Sequence, residues 1–243
     1  MAVKKIRPSK RQEFETSEEA KVNLLAPRFL IYVIGALFLA FGVVLNTRCS
    51  MGVSTVNCIP FVFSEATGIT LGQGCMLLYI IDVIIQIIVF RQVTLRIALQ
   101  IPFSFVMGML VDMFDYCISS GILWFFQGPD VLMGSVMLIL GILFTGVGVS
   151  MVMSMNFVPN PPDGFTQALC KITGLPFGRG KWLNDGLRLI IAVALALIML
   201  GHIIGVGIGT VLCVFTIGNI CQFMDDHIGF LYRKVYNPLG IVD

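Results

Sequence analysis

The chain has 243 residues, of which 57% are hydrophobic and only 12% charged, against roughly 25% charged in an ordinary soluble domain. That balance excludes a soluble globular fold, and a net charge of +2 gives no reason to expect a nucleic-acid partner. The lipid bilayer is the first partner implied, and helices are the spanning structure, because every backbone polar group in lipid must be satisfied within its own segment.

In chain order, the first element is a basic tail. Residues 1–28 hold seven of the sixteen Lys and Arg (Lys4, Lys5, Arg7, Lys10, Arg11, Lys21 and Arg28), which places this end in the cytoplasm. The tail is expected to be mostly without regular structure beside the anionic leaflet, its last few residues entering the first helix. A secretory signal explains it poorly, since the apolar run after Arg28 outlasts the ~7–15 residues of a signal core and no small-residue cleavage pattern follows.

Six hydrophobic segments come next, at about 29–49, 74–91, 97–118, 132–155, 183–200 and 203–224. Starting inside, their alternation puts Arg91, Arg96, Lys171, Arg179, Lys181, Arg233 and Lys234 in the cytoplasm, so that 14 of the 16 basic residues lie there. Arg48 alone falls outside and Arg188 falls within a span. The bias predicts six spans with both termini cytoplasmic, residues 229–243 forming the C-terminal tail.

The chain also repeats itself. A shift of 106 residues superposes Val33 to Ile87 on the second half without a gap, with twelve of 55 positions identical, where about five are expected by chance in so biased a composition. Gly35, Phe38 and Gly42 match Gly141, Phe144 and Gly148; Thr67-Gly68 matches Thr173-Gly174; Gly72 and Gly74 match Gly178 and Gly180. With four more residues inserted, Phe105, Gly108 and Asp115 match Phe215, Gly218 and Asp225. Residues 29–120 and 131–228 therefore each hold three spans, and an odd number inverts the second half relative to the first. The expected fold class is an all-α membrane protein, six transmembrane helices as two inverted three-helix repeats.

Each repeat carries a short broken or re-entrant helix after its first span. In the second half the stretch NPPDGF, Asn160 to Phe165, places two prolines where no helix can run unbroken; its first-half partner is STVNCI, Ser54 to Ile59. Asn160 can cap a helix with prolines in its first turn, and Ser54 can do the same with Asn57 three residues on. Both helices then stop at Thr-Gly, where glycine supplies a left-handed terminus. A helix of ~12 residues spans ~18 Å, about half a hydrocarbon core.

Several stretches resemble the YczE/YyaS/YitT group of bacterial membrane proteins. They are the G-x6-G spacing of each first span, MGVST, PPDG, the TG-x3-G-x-G run, NDGLR, and GVGIGT followed by IGN. The resemblance covers nearly the whole chain beyond residue 28. It implies a multi-pass inner-membrane protein and assigns no reaction.

Asp82 is the sharpest candidate for function, since it lies near the middle of its span, where a carboxylate costs ~2.5–3.5 kcal/mol and must face protein, water or a partner. Its repeat partner is Arg188, and the two can form a cross-repeat ion pair or charged gate. The simpler alternative is that Arg188 snorkels to the cytoplasmic face or pairs with Asp185 one turn back. Asp163 with Asn160 can bind a cation or a polar substrate, while freed amides at that helix start can hold an anion; the plain alternative is an acidic residue favoured at a helix N-terminus.

Other motifs are set aside. GVGIGT has no strand before it and, with Gly201, reads as a G-x-x-x-G ladder for close helix packing. GLPFGRGKW spaces its glycines wrongly for a phosphate loop. Asp112 and Asp115 at a span end read as a solvated acidic rim, His202 and His227 as interfacial, and the seven cysteines as buried free thiols. No catalytic motif, cofactor or metal site is expected.

The sequence thus points to a transporter or channel for a small polar or charged solute or ion, its site lined by Asn57, Asp82, Asn160, Asp163, Asp185 and Arg188, with Asp82 or Asp163 as coupling carboxylate. The alternative is a non-transporting accessory or scaffold subunit bound to another membrane protein or to a second copy of the chain; an enzyme ranks third.

Overall fold

A computed structural model describes residues 10–126 and 131–227. The predicted tail at 229–243, with Arg233 and Lys234, and the basic residues Lys4, Lys5 and Arg7 lie outside the described residues. Every regular element among the described residues is helical: α1 (Lys10–Arg48), α2 (Thr55–Thr67), α3 (Leu71–Phe90), α4 (Leu95–Ala98), α5 (Gln100–Ser119), α6 (Val131–Met155), α7 (Pro161–Thr173), α8 (Phe177–Leu200) and α9 (Ile208–His227), with a 3-10 turn at Trp124–Phe126. Five segments are long and apolar enough to cross a membrane, Ala26–Arg48, Leu71–Phe90, Leu95–Ser119, Val131–Met155 and Arg179–Leu200. The chain is an all-helical integral membrane protein by that measure.

Two boundaries differ from the sequence reading. The basic tail is helical from Lys10 onward, because a run rich in Glu, Lys and Ala extends an existing helix without a new nucleation cost. The last predicted segment, 203–224, forms no helix before Ile208, and its apolar part is Ile208–Cys221. The cause lies in Gly201 and Gly205, both in the left-handed region at φ 74° and 73°, which end α8 and turn the chain into an extended connection. That connection pairs with the segment after α1, where Val53 N donates to Gly205 O at 2.7 Å and Gly209 N to Met51 O at 2.8 Å. The G-x-x-x-G ladder expected from Gly201, Gly205 and Gly209 is therefore not a helix face; these glycines serve loop-to-loop contact.

The centre of the bundle is the crossing of α1 and α6. A Cβ on Gly42 would stand 2.6 Å from Thr145 N, one on Gly148 2.5 Å from Leu39 N, and one on Gly134 2.7 Å from Cys49 O. Early residues of α1 meet late residues of α6 and the reverse, so the two helices run antiparallel with their backbones in contact. Phe38 and Phe144 close the crossing edge to face, ring centroids 5.1 Å apart. Around this axis α2 packs on α8 and α3, α7 on α3 and α8, α5 on α3 and α1, and α9 on α6.

The short helices α2 and α7 are each 13 residues and end alike, at Gly68 with φ 76° and Gly174 with φ 70°. Each glycine N–H returns to the carbonyl four residues back at 2.8 Å. Their other ends point into the bundle.

Candidate functional site

Asp82 sits halfway along α3 and Arg188 halfway along α8, and packing of α2 and α7 against both helices removes the pair from solvent. One terminal nitrogen of Arg188 donates to both Asp82 oxygens at 2.8 Å, and the residues are 2% and 3% exposed. Arg188 Nε donates to Asn184 Oδ1 at 2.8 Å, and the guanidinium lies over the Phe165 ring, 5.3 Å from its centroid. The simpler expectation for Arg188, snorkelling or pairing with Asp185, is thus replaced by the cross-repeat pair. Asp185 instead accepts from Thr55 Oγ1 at 2.9 Å, tying α8 to the first turn of α2.

In front of this pair is a small polar cavity of about 50 Å³, room for about three or four waters at ~10–15 Å³ each. Its polar lining includes Asn57, Asn160, Asp163, Lys181 and Asp185. Four of the six residues singled out from sequence line it directly; Asp82 and Arg188 are not in the lining, and Asn184, which accepts from Arg188, donates to Pro162 O of the lining at 3.5 Å and to Thr166 Oγ1 at 2.9 Å.

The two short helices begin here, and neither is capped by its side chain as expected. Ser54 and Asn160 hold the N-cap positions without a side-chain cap bond. Ser54 Oγ accepts from the Asn57 side-chain amide at 3.0 Å, leaving Asn57 Oδ1 without a partner. At α7 the reason is the proline pair. An N-cap side chain accepts from the N–H of the second or third helical residue; the second is Pro162, which has none, and Asp163 N already donates to Asn160 O at 3.0 Å. Asn160 Oδ1 is left unpaired, as is Asp163 Oδ2. The same prolines overturn the expectation that freed amides at this helix start hold an anion, because the first two positions carry no amide hydrogen.

Three buried acceptors, in residues 2%, 6% and 4% exposed (Asn57, Asn160 and Asp163), therefore lack a donor, and all three residues belong to the lining of one cavity. Lys181 is the nearest cation, its Nζ 3.7 Å from Asp163 Oδ1. Lys181 was expected among the solvated cytoplasmic charges; its side chain instead reaches inward to the cavity. Leaving a buried polar atom unpaired costs ~1–3 kcal/mol, so three together mark a place built for something else to enter.

Two open crevices approach the cavity. One, of about 380 Å³, is bounded by Thr47, Val53, Phe61 and Gly205, and the other, of about 440 Å³, by Met153, Pro159, Gln167 and Arg96. They lie at the C-terminal ends of α1 and α6 respectively, hence at opposite ends of the antiparallel pair. The first reaches Val53 and the cavity starts at Ser54; the second reaches Pro159 and the cavity starts at Asn160. On the α6 side the barrier includes Gln86 and Gln100, which exchange amide bonds at 2.9 and 3.0 Å and are each 1% exposed. Gln86 also reaches Pro161 O at 3.3 Å.

The sequence reading missed Lys181, Asn184, Gln86, Gln100 and Thr55. Two of them had a signal: Gln86 follows Asp82 and Asn184 precedes Arg188 by four residues, one helical turn on the same face. Elsewhere, Asp112 accepts from Thr70 Oγ1 at 2.7 Å and Gly72 N at 2.8 Å, and Asp115 pairs with Arg48 at 2.6 Å. All seven cysteines are free thiols.

No curated protein and no solved structure matches the chain. One family profile does, over residues 26–226, which takes in every helix described above apart from the first half of α1 and the last residue of α9. The chain belongs to the family of unknown function DUF6198.

Proposed function

We propose that the protein moves a small polar or charged solute across a bacterial cytoplasmic membrane, as a transporter or channel rather than an enzyme, through the cavity where the starts of α2 and α7 meet α8, α9 and the α1–α6 crossing. The observation that carries this reading is a small cavity with buried polar side chains in its lining, and a crevice at each end of the α1–α6 pair whose lining ends at Val53 or Pro159, next in sequence to Ser54 and Asn160 of the cavity. Asn57, Asp82, Asn160, Asp163, Asp185 and Arg188 form the site, with Asp163 in contact with the solute and the Asp82–Arg188 pair holding the two halves together behind it.

The architecture proposed is six spans in two inverted halves, with α2 and α7 re-entrant and both termini cytoplasmic. Several observations favour it. Exchanging each helix for its repeat partner turns the α2–α8 contact into α7–α3, α2–α3 into α7–α8, and α1–α5 into α6–α9, all of which occur, whereas the α3–α5 contact has no comparable α8–α9 partner. Lining residues of the two crevices exchange in the same way: Thr47, Val53 and Phe61 for Met153, Pro159 and Gln167. Sites at the meeting of inverted repeats with interrupted helices are the pattern of secondary transporters, and the likeness to the YczE/YyaS/YitT group fits a multi-pass protein of this kind.

The test is flux. Liposomes containing the purified chain are challenged with gradients of sodium, potassium, ammonium, methylammonium, chloride, phosphate, acetate and glycine, read by potential- and pH-sensitive dyes. At least one gradient should dissipate faster than in protein-free liposomes, and Asp163→Asn should abolish the difference. No acceleration with any of them, or acceleration unchanged in both Asp82→Asn and Asp163→Asn, would remove the proposal.

A further inference from the structure

We infer that the cavity takes a small monovalent cation, an alkali ion or a protonated amine no larger than methylammonium, and excludes anions. This deepens the transport reading and rests on the same site.

The unpaired groups set the sign. Asn57 Oδ1, Asn160 Oδ1 and Asp163 Oδ2 are acceptors, all buried and all belonging to residues of the cavity lining. Buried oxygens without a donor are stabilised by a cation or by N–H, and an anion among them adds repulsion. Among buried side-chain donors nearby, Arg188 Nη1 is unpaired, and Arg188 is not part of the lining.

Helix N-termini ordinarily favour anions through free amides, and two of them point here. Pro161 and Pro162 remove those amides from α7, and the next two, of Asp163 and Gly164, donate to Asn160 O at 3.0 and 3.1 Å. The prolines thus cancel the anion-binding capacity of this helix start. They also withhold the donor that would satisfy the Asn160 side chain, leaving its oxygen buried without a partner beside the cavity.

Charge counting agrees. Asp82 and Arg188 neutralise one another at 2.8 Å, which leaves Asp163 and Asp185 against Lys181, one negative charge in excess. A separate crevice of about 890 Å³ near the α1 C-terminal end, sharing Thr47, Phe61 and Glu65 with the one of about 380 Å³, has the same bias, with Glu65, Asp112 and Asp115 against Arg48; such a lining concentrates cations. Size sets the upper limit, since a cavity of about 50 Å³ admits about three or four water-sized groups.

Thermal unfolding of the purified full chain in detergent tests this, with lithium, sodium, potassium, ammonium or methylammonium chloride replacing choline chloride at constant chloride. At least one cation should raise the Tm in a saturable way, and the alkali and amine arms identify which source fills the site. Asp163→Asn should weaken that cation at least tenfold. Pro162→Ala should weaken it several-fold, by giving Asn160 Oδ1 an amide partner, and Lys181→Met should tighten it by removing the competing positive charge. The last two decide the matter if Asp163→Asn fails to fold.

The inference fails if no cation shifts the Tm, in which case water alone fills the cavity. It fails equally if the shift is the same in all three variants, or if sodium acetate or phosphate stabilises beyond sodium chloride and Lys181→Met abolishes that gain. Saturable binding with no flux in liposomes would remove transport and keep the cation site. Flux of a neutral or anionic solute without cation binding would do the reverse.

Discussion

The starts of α2 and α7 have nearly the same backbone and almost no chemistry in common. Ser54 and Asn160 adopt φ −61°, ψ 146° and φ −60°, ψ 133°, and both helices run 13 residues to a left-handed glycine. Yet one start reads Ser-Thr-Val-Asn and the other Asn-Pro-Pro-Asp. In α2 the polar side chains bond one another and hold Asp185 through Thr55. In α7 the prolines leave the polar side chains without amide partners, and Asp163 brings a charge. Two helix starts of nearly one backbone geometry thus carry different chemistry: each leaves an asparagine oxygen unpaired, and only α7 adds a carboxylate.

The largest effect expected on this comparison is at the seam joining the halves. Arg188→Gln leaves Asp82 buried and unpaired, which costs about 3–5 kcal/mol, read as a collapse in yield or a large fall in Tm. The double variant Asp82→Asn, Arg188→Gln should recover most of that loss; a double variant as unstable as the single one would show that the pair does not brace the halves.

Next comes the α1–α6 crossing. Gly42→Ala and Gly148→Ala each push a Cβ to 2.6 Å or less from backbone nitrogen of the facing helix, an overpacking of about 1–3 kcal/mol. Equal losses are predicted because the residues are repeat partners on one axis, while Gly218→Ala, with open space around it, should be neutral or stabilising. Tm values separate the outcomes.

The glutamine barrier sharpens the difference between halves. Gln86→Leu strands Gln100 at a cost of about 1–3 kcal/mol, and adding Gln100→Leu should return much of it by removing both polar partners. The equivalent first-to-second-half partner of Gln86 is Ala192, so no matching pair exists on the other side.

Smallest is the change at the helix ends. Gly68→Ala and Gly174→Ala meet no neighbouring atom within 4 Å, so each should lose only the cost of a left-handed alanine, about 1–2 kcal/mol, and by the same amount. A clear inequality in denaturation midpoints would show that the two ends are not equivalent.

Much of this was legible in the residues. Charge depletion pointed to the membrane, and the Thr-Gly stops to the ends of α2 and α7. Asp82 announced itself because mid-span charge needs a partner, whereas Arg188 read more simply as snorkelling or as pairing with Asp185. What stayed hidden depends on tertiary approach: Gln86 meets Gln100 only because α3 packs on α5, and Lys181 reads as a rim charge until α8 lies against α7. The loop pairing of 51–53 with 205–209 was misread for a related reason, since glycines spaced for a helix face are equally the glycines an extended crossing requires.

The most direct test of the opposed halves uses single cysteines in a cysteine-free background, at Thr67 and Thr173, repeat partners at the exposed ends of α2 and α7. A membrane-impermeant maleimide applied to sealed vesicles of known orientation should label Thr67→Cys from the periplasmic face and Thr173→Cys from the cytoplasmic face. Labelling of both from the same face would contradict the inverted arrangement and, with it, a cavity approached from opposite sides.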